Sequence, residues 1–398
     1  MAGHTGRDPS IDATRGLALL GILIANLSFF AMPGGVAGTW WREVYPGWTD
    51  IVATFLIRTL FENTFILIFS FLFGWGATRQ LAARPAASFR WRLLGLAAIG
   101  ILHAVLLWAG DILLAYALLG LMLPAAMRWP LPRQLRIGLL LWTVAIVGNA
   151  AVGVLLVVLA PPPLQADAFI ALYGSGDFTG ILQRRLEEWA EFYAFGIIVL
   201  FPLVAAAFLA GAASQHWLGD RPPSALTPLL ARFAHLAFWP AILGNIAYGL
   251  LATAPKSIAG GALIAPEIIL RALFSPLLAL LILAWSMRFF TSRGGAFLLR
   301  PFQTNGRMSL SIYVLQSVVC VLLFHGYGAG LYASVGPAGS LLAAIAIFIA
   351  MTGLAELWLR AFTQGPLEMV LTVLPLRRST GNPLPWRHEE ATEGSQKS

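Results

Sequence analysis

His103 and Asp111 stand eight positions apart in the apolar stretch LHAVLLWAGDILLAY. A titratable side chain inside such a stretch is costly unless it faces protein, a cavity or a partner, so each marks a candidate site. Arg92 marks one end of the preceding apolar run. At helical rise His103, 11 residues further on, lies about 16 Å in, near mid-membrane. Gly110 breaks the helix, and Asp111 is placed to N-cap a short returning helix that reaches only to Pro124. A buried imidazole oriented by a carboxylate is how a general base is built. A histidine bonded to a neighbouring helix and an aspartate that only caps are the structural alternatives.

A second constellation opens two other apolar runs. In Asp12-Ala-Thr-Arg15-Gly16, Asp12 suits an N-cap and Arg15 stands in the first turn, against the helix dipole. Asn305-Gly306-Arg307 reads as a turn after which Arg307 opens a helix running outward. Two helix N-termini that each carry an Arg make an anion site where they converge, with phosphate as the natural ligand; contact with lipid phosphates is the alternative. Beyond Arg307, residues Ser309, Tyr313, Gln316 or Ser317, and Cys320 follow at spacings of three and four. This is one polar stripe, facing protein or a cavity, and hydrogen bonding between helices would also account for it. Asn26, Asn149 and Asn245 read as bonds between helices. Arg58 with Glu62, Glu267 with Arg271, and Glu356 with Arg360 are i,i+4 pairs that neutralise themselves.

Membrane helices must position these groups. With 58% hydrophobic and 11% charged residues over 398 positions, and mean hydropathy +0.77, the chain is too apolar for a soluble fold of this length. Ten segments are long enough to span: 14–32, 61–78, 92–109, 111–127, 136–160, 190–213, 233–253, 266–288, 308–325 and 338–360. Every second gap is basic and together these gaps hold 20 of the 26 Lys and Arg residues, the pattern of a polytopic protein with both termini cytoplasmic. The expected fold is therefore all-α: a polytopic helical integral membrane protein of about ten transmembrane helices, with residues 1–378 as one transmembrane domain and 379–398 as a polar, disordered cytoplasmic tail. The first run is read as an uncleaved helix rather than a secretory signal.

An interfacial helix is expected around Thr49–Phe61, and 161–189 as the largest outer loop, able to cap a cavity. The net charge of +8 is spread over short inner loops, which points to anionic lipid headgroups and away from nucleic acid. The single cysteine, Cys320, excludes an intramolecular disulfide framework, and no Cys/His cluster has metal-ligand spacing.

Several segments together resemble the YeiB-like bacterial membrane proteins, catalogued as domain of unknown function 418. They are Ile11-Asp-Ala-Thr-Arg-Gly-Leu-Ala-Leu-Leu-Gly21 with Asn26, Phe69-Ser-Phe-Leu-Phe-Gly74, Leu102-His103 with Gly110-Asp-Ile-Leu113 and Tyr116, Asn305 to Ser317, and Trp358-Leu-Arg with Gly365-Pro-Leu-Glu368. The resemblance runs from near residue 11 to near 376 and implies a multi-pass protein of the bacterial inner membrane. More remotely, the Arg-Gly entry to the first helix is similar to that of transmembrane acyltransferases, which implies transfer from cytoplasmic acyl-CoA to a sugar, glycan or lipid hydroxyl. Several such enzymes carry a histidine near the outer end of the first span, where this chain has Asn26 and a histidine-free loop. On the acyltransferase reading His103 and Asp111 are catalytic, and Asp12, Arg15, Asn26, Arg307, Tyr313 and Gln316 contact substrate, with acyl-CoA as co-substrate and no metal. A transporter of an anionic or lipidic solute and a non-catalytic scaffold are the competing readings. Membrane lipids and a small-molecule or lipid substrate are the expected partners, with a homo-oligomer left open.

Overall fold

A computed structural model describes residues 8–83, 85–159, 164–219, 221, 225–254 and 260–376. The tail expected at 379–398, and residues 161–163 at the start of the expected outer loop, lie outside the described residues. Among those residues all regular structure is helical. In chain order the helices are α1 (Pro9–Ala31), α2 (Trp40–Val44), α3 (Trp48–Leu56), α4 (Thr64–Ala83), α5 (Ala86–Leu106), α6 (Leu113–Gly120), α7 (Leu123–Ala126), α8 (Leu131–Leu159) and α9 (Ala166–Ser175). They continue with α10 (Phe178–Val199), α11 (Phe201–Leu218), α12 (Leu226–Thr253), α13 (Ile264–Thr291), α14 (Ala296–Arg307), α15 (Ser309–Phe324), α16 (Pro337–Ala361) and α17 (Pro366–Leu376).

Eight of the described segments are long and apolar enough to cross a membrane: α1, Trp48–Ala83, α5, α8, α11, α12, α13 and α16. A ninth forms if α14 and α15, bent by 84° at Met308, count as one. Two of the ten expected segments are divided. The one at 111–127 becomes α6 and α7, interrupted just ahead of Pro124, and the one at 190–213 breaks at Leu200, just ahead of Pro202. Proline lacks the N–H that would tie it to the preceding turn, so each begins a new helix.

Helix α1 is the axis of the bundle. Asp8 caps it, accepting from Ser10 N at 2.9 Å, and Pro9 presets its first turn. Asp12, expected at the cap, lies inside that turn. Buried positions run around all sides of α1 from Ser10 to Ala31, because α4, α13, α14, α15 and α16 surround it. Helix α8, by contrast, buries only five residues, Gln134, Ala145, Asn149, Val152 and Gly153, and turns the rest outward. Where α1 crosses α14, Gly16 lies against the Phe302 carbonyl and Gly306 against that of Asp12, so a Cβ on either glycine would collide with backbone. Asparagines tie helices elsewhere. Asn149 Nδ2 donates to Ala145 O at 2.8 Å and to Val199 O at 2.9 Å, and Asn245 Nδ2 to Ala241 O at 2.7 Å and Phe274 O at 3.0 Å.

Where an interfacial helix is expected, near Thr49–Phe61, the chain forms α3, which belongs to the long apolar segment Trp48–Ala83. Helix α3 continues through a π-helical turn, Ile57–Phe61, into Glu62 and Asn63, and Asn63 adopts φ 61° before α4 begins. A π turn followed by a non-glycine residue in the left-handed region is a costly local backbone, and such features gather where a site is being shaped.

Candidate active site

Helix α5 carries His103 in its last turn, and the chain returns through Trp108–Ile112 into α6. His103 and Asp111 are 2% and 0% exposed. Asp111 Oδ2 accepts from Leu114 N at 3.0 Å, capping α6, while Oδ1 stands 3.0 Å from His103 Nδ1. That second approach is close but lies off the line of the ring N–H, so the carboxylate orients the imidazole without a straight hydrogen bond. Gly100, one turn before His103, makes room for it, since a Cβ there would press into Asp111 Oδ2 and Leu114 N. On the far side of the ring, His103 Nε2 meets Ser317 Oγ at 2.8 Å. With the proton on Nδ1 toward the carboxylate, Nε2 accepts from Ser317. The Tyr313 ring lies 5.1 Å from the imidazole, tilted by 32°.

Two cavities approach this group from opposite ends. At the basic end, a cavity of about 330 Å³ is lined by Arg15, Arg92, Arg307, Gln80, Gln364 and Glu368. At the other end, a cavity of about 530 Å³ is lined by Asn26, Glu62, Asn63, Arg184, Arg185, Glu188, Tyr173 and Arg271. Ile22, Ile112 and Tyr313 line both and form the septum. The stretch 161–189, expected as a loop, is mostly α9 and the first half of α10 among its described residues, and its Leu164, Phe169 and Tyr173 line the second cavity. A third space, an apolar groove of about 550 Å³ beside Trp142, Trp217 and Phe233, lies apart from these groups.

Of the residues singled out from sequence, the fold joins His103 to Asp111 and brings Arg15 and Arg307 to one cavity. It places Asn26 in the opposite one and Tyr313 between them. Asp12 turns to Arg15, accepting from its Nη1 at 2.8 Å. Gln316 is buried, and its Nε2 meets no acceptor. Arg307 ends α14 rather than opening α15, and its Nη2 donates to Thr363 O at 3.1 Å. The first amides of α15 are also taken: Leu310 N and Ser311 N donate to Glu368 Oε1 at 2.7 and 3.3 Å. The chain's own carboxylate thus fills the helix N-terminus expected to bind an anion, and any phosphate in this cavity is left to the guanidinium groups.

Two features were not singled out. Arg185, 2% exposed, caps the end of α5 by donating from Nη1 to Val105 O at 3.2 Å and Leu106 O at 2.5 Å, a favourable place for a cation at a helix C-terminus. Its Nη2 stands 3.5 Å from His325 Nδ1. The i,i+4 pairs also exchange partners. Arg58 meets Glu62 at 3.0 Å but also Glu267, Arg271 meets Glu62 at 2.6 Å, and Tyr248 Oη donates to Glu62 at 2.7 Å. Glu356 pairs with Arg300 at 3.4 Å. Among the described residues no group of three or more His, Cys, Asp or Glu side chains is placed to hold a metal ion.

Apolar helices in this number, packed around a buried ionisable pair, define a multi-pass helical membrane protein. Residues 221–376 match the family described as "Protein of unknown function (DUF418)". The chain is 29% identical to "Uncharacterized protein YxaH" of Bacillus subtilis (strain 168) over 388 residues, 90% of this chain and 91% of that one. It is 28% identical to "Uncharacterized protein YeiB" of Escherichia coli (strain K12) over 390 residues, 93% and 97% of the two chains. The YeiB-like resemblance read from the motifs is borne out by these matches, whereas no likeness to acyltransferases is among them. No solved structure matches the chain.

Proposed function

We propose that the protein is an acyltransferase of the bacterial inner membrane that takes an acyl group from cytoplasmic acyl-CoA and delivers it to a hydroxylated acceptor, a sugar, glycan or lipid, at the outer cavity. The observation that carries this reading is the His103–Asp111 pair packed behind Tyr313, whose side chain lines both cavities. The basic end is the cytoplasmic one by its arginines. There Arg15, Arg92 and Arg307 hold the phosphates of the donor, and the larger cavity, with its mixed charges and Asn26, holds the acceptor. A general base with its ring oriented by a carboxylate is what removal of a hydroxyl proton needs.

The test is purified protein in proteoliposomes given labelled acetyl-CoA or palmitoyl-CoA and lipid or glycan acceptors. Label should pass to an acceptor, and Arg15→Gln and Arg307→Gln should each weaken CoA binding about ten- to a hundredfold, the worth of one charge-assisted contact. No transfer from either donor, with CoA binding unchanged in both variants, removes the enzyme reading. The transporter reading draws on the broken helix at Ile57–Asn63 beside the outer cavity, since interrupted helices line solute sites. It predicts solute counterflow without any covalent product.

A further inference from the structure

We propose that Ser317 is a nucleophile and that the acyl group crosses between the two cavities as an ester on its side chain. This rests on the acyl-transfer reading and says how the transfer runs. Asp111 and Ser317 flank His103, with Asp111 Oδ1 3.0 Å from Nδ1 and Ser317 Oγ 2.8 Å from Nε2. This is the order of parts that turns a weak hydroxyl into a nucleophile: an acid that orients the ring, a ring that takes the proton, and an alcohol that loses it. A serine inside a helix ordinarily bonds back to its own helix, one turn earlier. Here that bond, to Tyr313 O, is 3.4 Å long, so the hydroxyl's short contact is the imidazole.

One ring nitrogen, Nε2, bonds Ser317, and the other faces Asp111 Oδ1 at 3.0 Å without a straight hydrogen bond. The proton nearest to Nε2 is that of Ser317. The placement of the cavities points the same way. Donor and acceptor approach from opposite ends and are parted by Tyr313, whose ring covers His103 and which precedes Ser317 by four residues on the same face of α15. Direct transfer requires both substrates to meet at one point. A covalent relay requires each to reach Ser317 in turn.

In the first step Ser317 Oγ attacks the thioester carbonyl while its proton passes to His103 Nε2. The carbon–sulfur bond then breaks and the thiolate leaves with that proton as free CoA thiol. In the second step the acceptor hydroxyl gives its proton to Nε2 as its oxygen attacks the ester, the carbon–Oγ bond breaks, and Oγ recovers the proton.

The experiment uses the full chain carrying Cys320→Ser, which removes the neighbouring thiol, reconstituted and exposed to acetyl-CoA or palmitoyl-CoA without acceptor. Intact-mass measurement should give a single acyl adduct, mapped by peptide analysis to Ser317 and absent in Ser317→Ala and His103→Ala. Ser317→Cys should give an adduct cleaved by neutral hydroxylamine, as a thioester is and an oxygen ester is not. This variant keeps the test decisive if Ser317→Ala fails to fold. With acceptor present, turnover in Ser317→Ala should fall at least a hundredfold. Transfer within threefold of the parent in Ser317→Ala, with His103→Ala inactive, overturns the relay and leaves a direct acyltransferase. If the parent protein neither transfers nor takes up label from either donor, the acyl-transfer reading falls and the relay with it.

Discussion

Asp111 does two things with two oxygens, and one substitution separates them. Asn caps a helix about as well as Asp, so Asp111→Asn should keep α6 in place through Leu114 N, with thermal stability within about 0.5 kcal/mol of the parent. Its amide NH2 would then face His103 Nδ1, moving the ring proton to Nε2, where it can no longer accept from Ser317. Turnover should drop on the order of 10²–10⁴-fold, with the His103→Ala, Asp111→Asn double variant little worse than either. Asp111→Ala should lose a further roughly 0.5–2 kcal/mol of stability. Normal turnover in Asp111→Asn would show that the carboxylate only caps. This pair was legible in the sequence because both residues sit in one hairpin, and a tight return brings them together whatever the rest of the chain does. Ser317 was legible only as half of an alternative with Gln316. Which of the two meets His103 depends on how α15 is rotated against a helix 214 positions away, and periodicity within α15 carries no such information. Arg184 and Arg185 pose the same problem, since adjacent residues on a helix point in different directions and only the packed bundle decides which is buried.

At the scale of elements, Asn305-Gly306 has the composition of a turn yet forms the last turn of α14, because α1 lies directly against it. The contact of Gly306 with the Asp12 carbonyl, and of Gly16 with Phe302, holds α14 across the basic end and brings Arg15 and Arg307 to one cavity. The glycine therefore reports close helix approach, a pairing that local sequence does not disclose. Gly306→Ala should cost roughly 1–3 kcal/mol, the range for overpacking a filled interior, and should lower the melting temperature in detergent. An unchanged melting temperature would mean that α1 and α14 part readily. The exchange among Arg58, Glu62, Glu267 and Arg271 follows similar logic: the charge balance of each helix was evident in the spacing, but the crossing of partners belongs to the packing of α12 and α13 around the break after α3.

For the whole molecule, the arrangement of the spans predicts sidedness. In a Cys320→Ser background, cysteines at Ser175 and Arg293 should react with an impermeant thiol reagent from opposite faces of the membrane, and labelling of both from one face would overturn the orientation.

The septum of Ile22, Ile112 and Tyr313 bears on the cell's energy supply. If the protein lies in the bacterial inner membrane, as proposed, hollows entering from both faces leave little to resist the flow of protons, and every ion that slips through drains the gradient that drives ATP synthesis. On this view Tyr313 is an insulator as much as a wall of the site. Vesicles containing Tyr313→Ala should dissipate an imposed pH gradient faster than vesicles with the parent protein, and equal rates would place the electrical seal elsewhere.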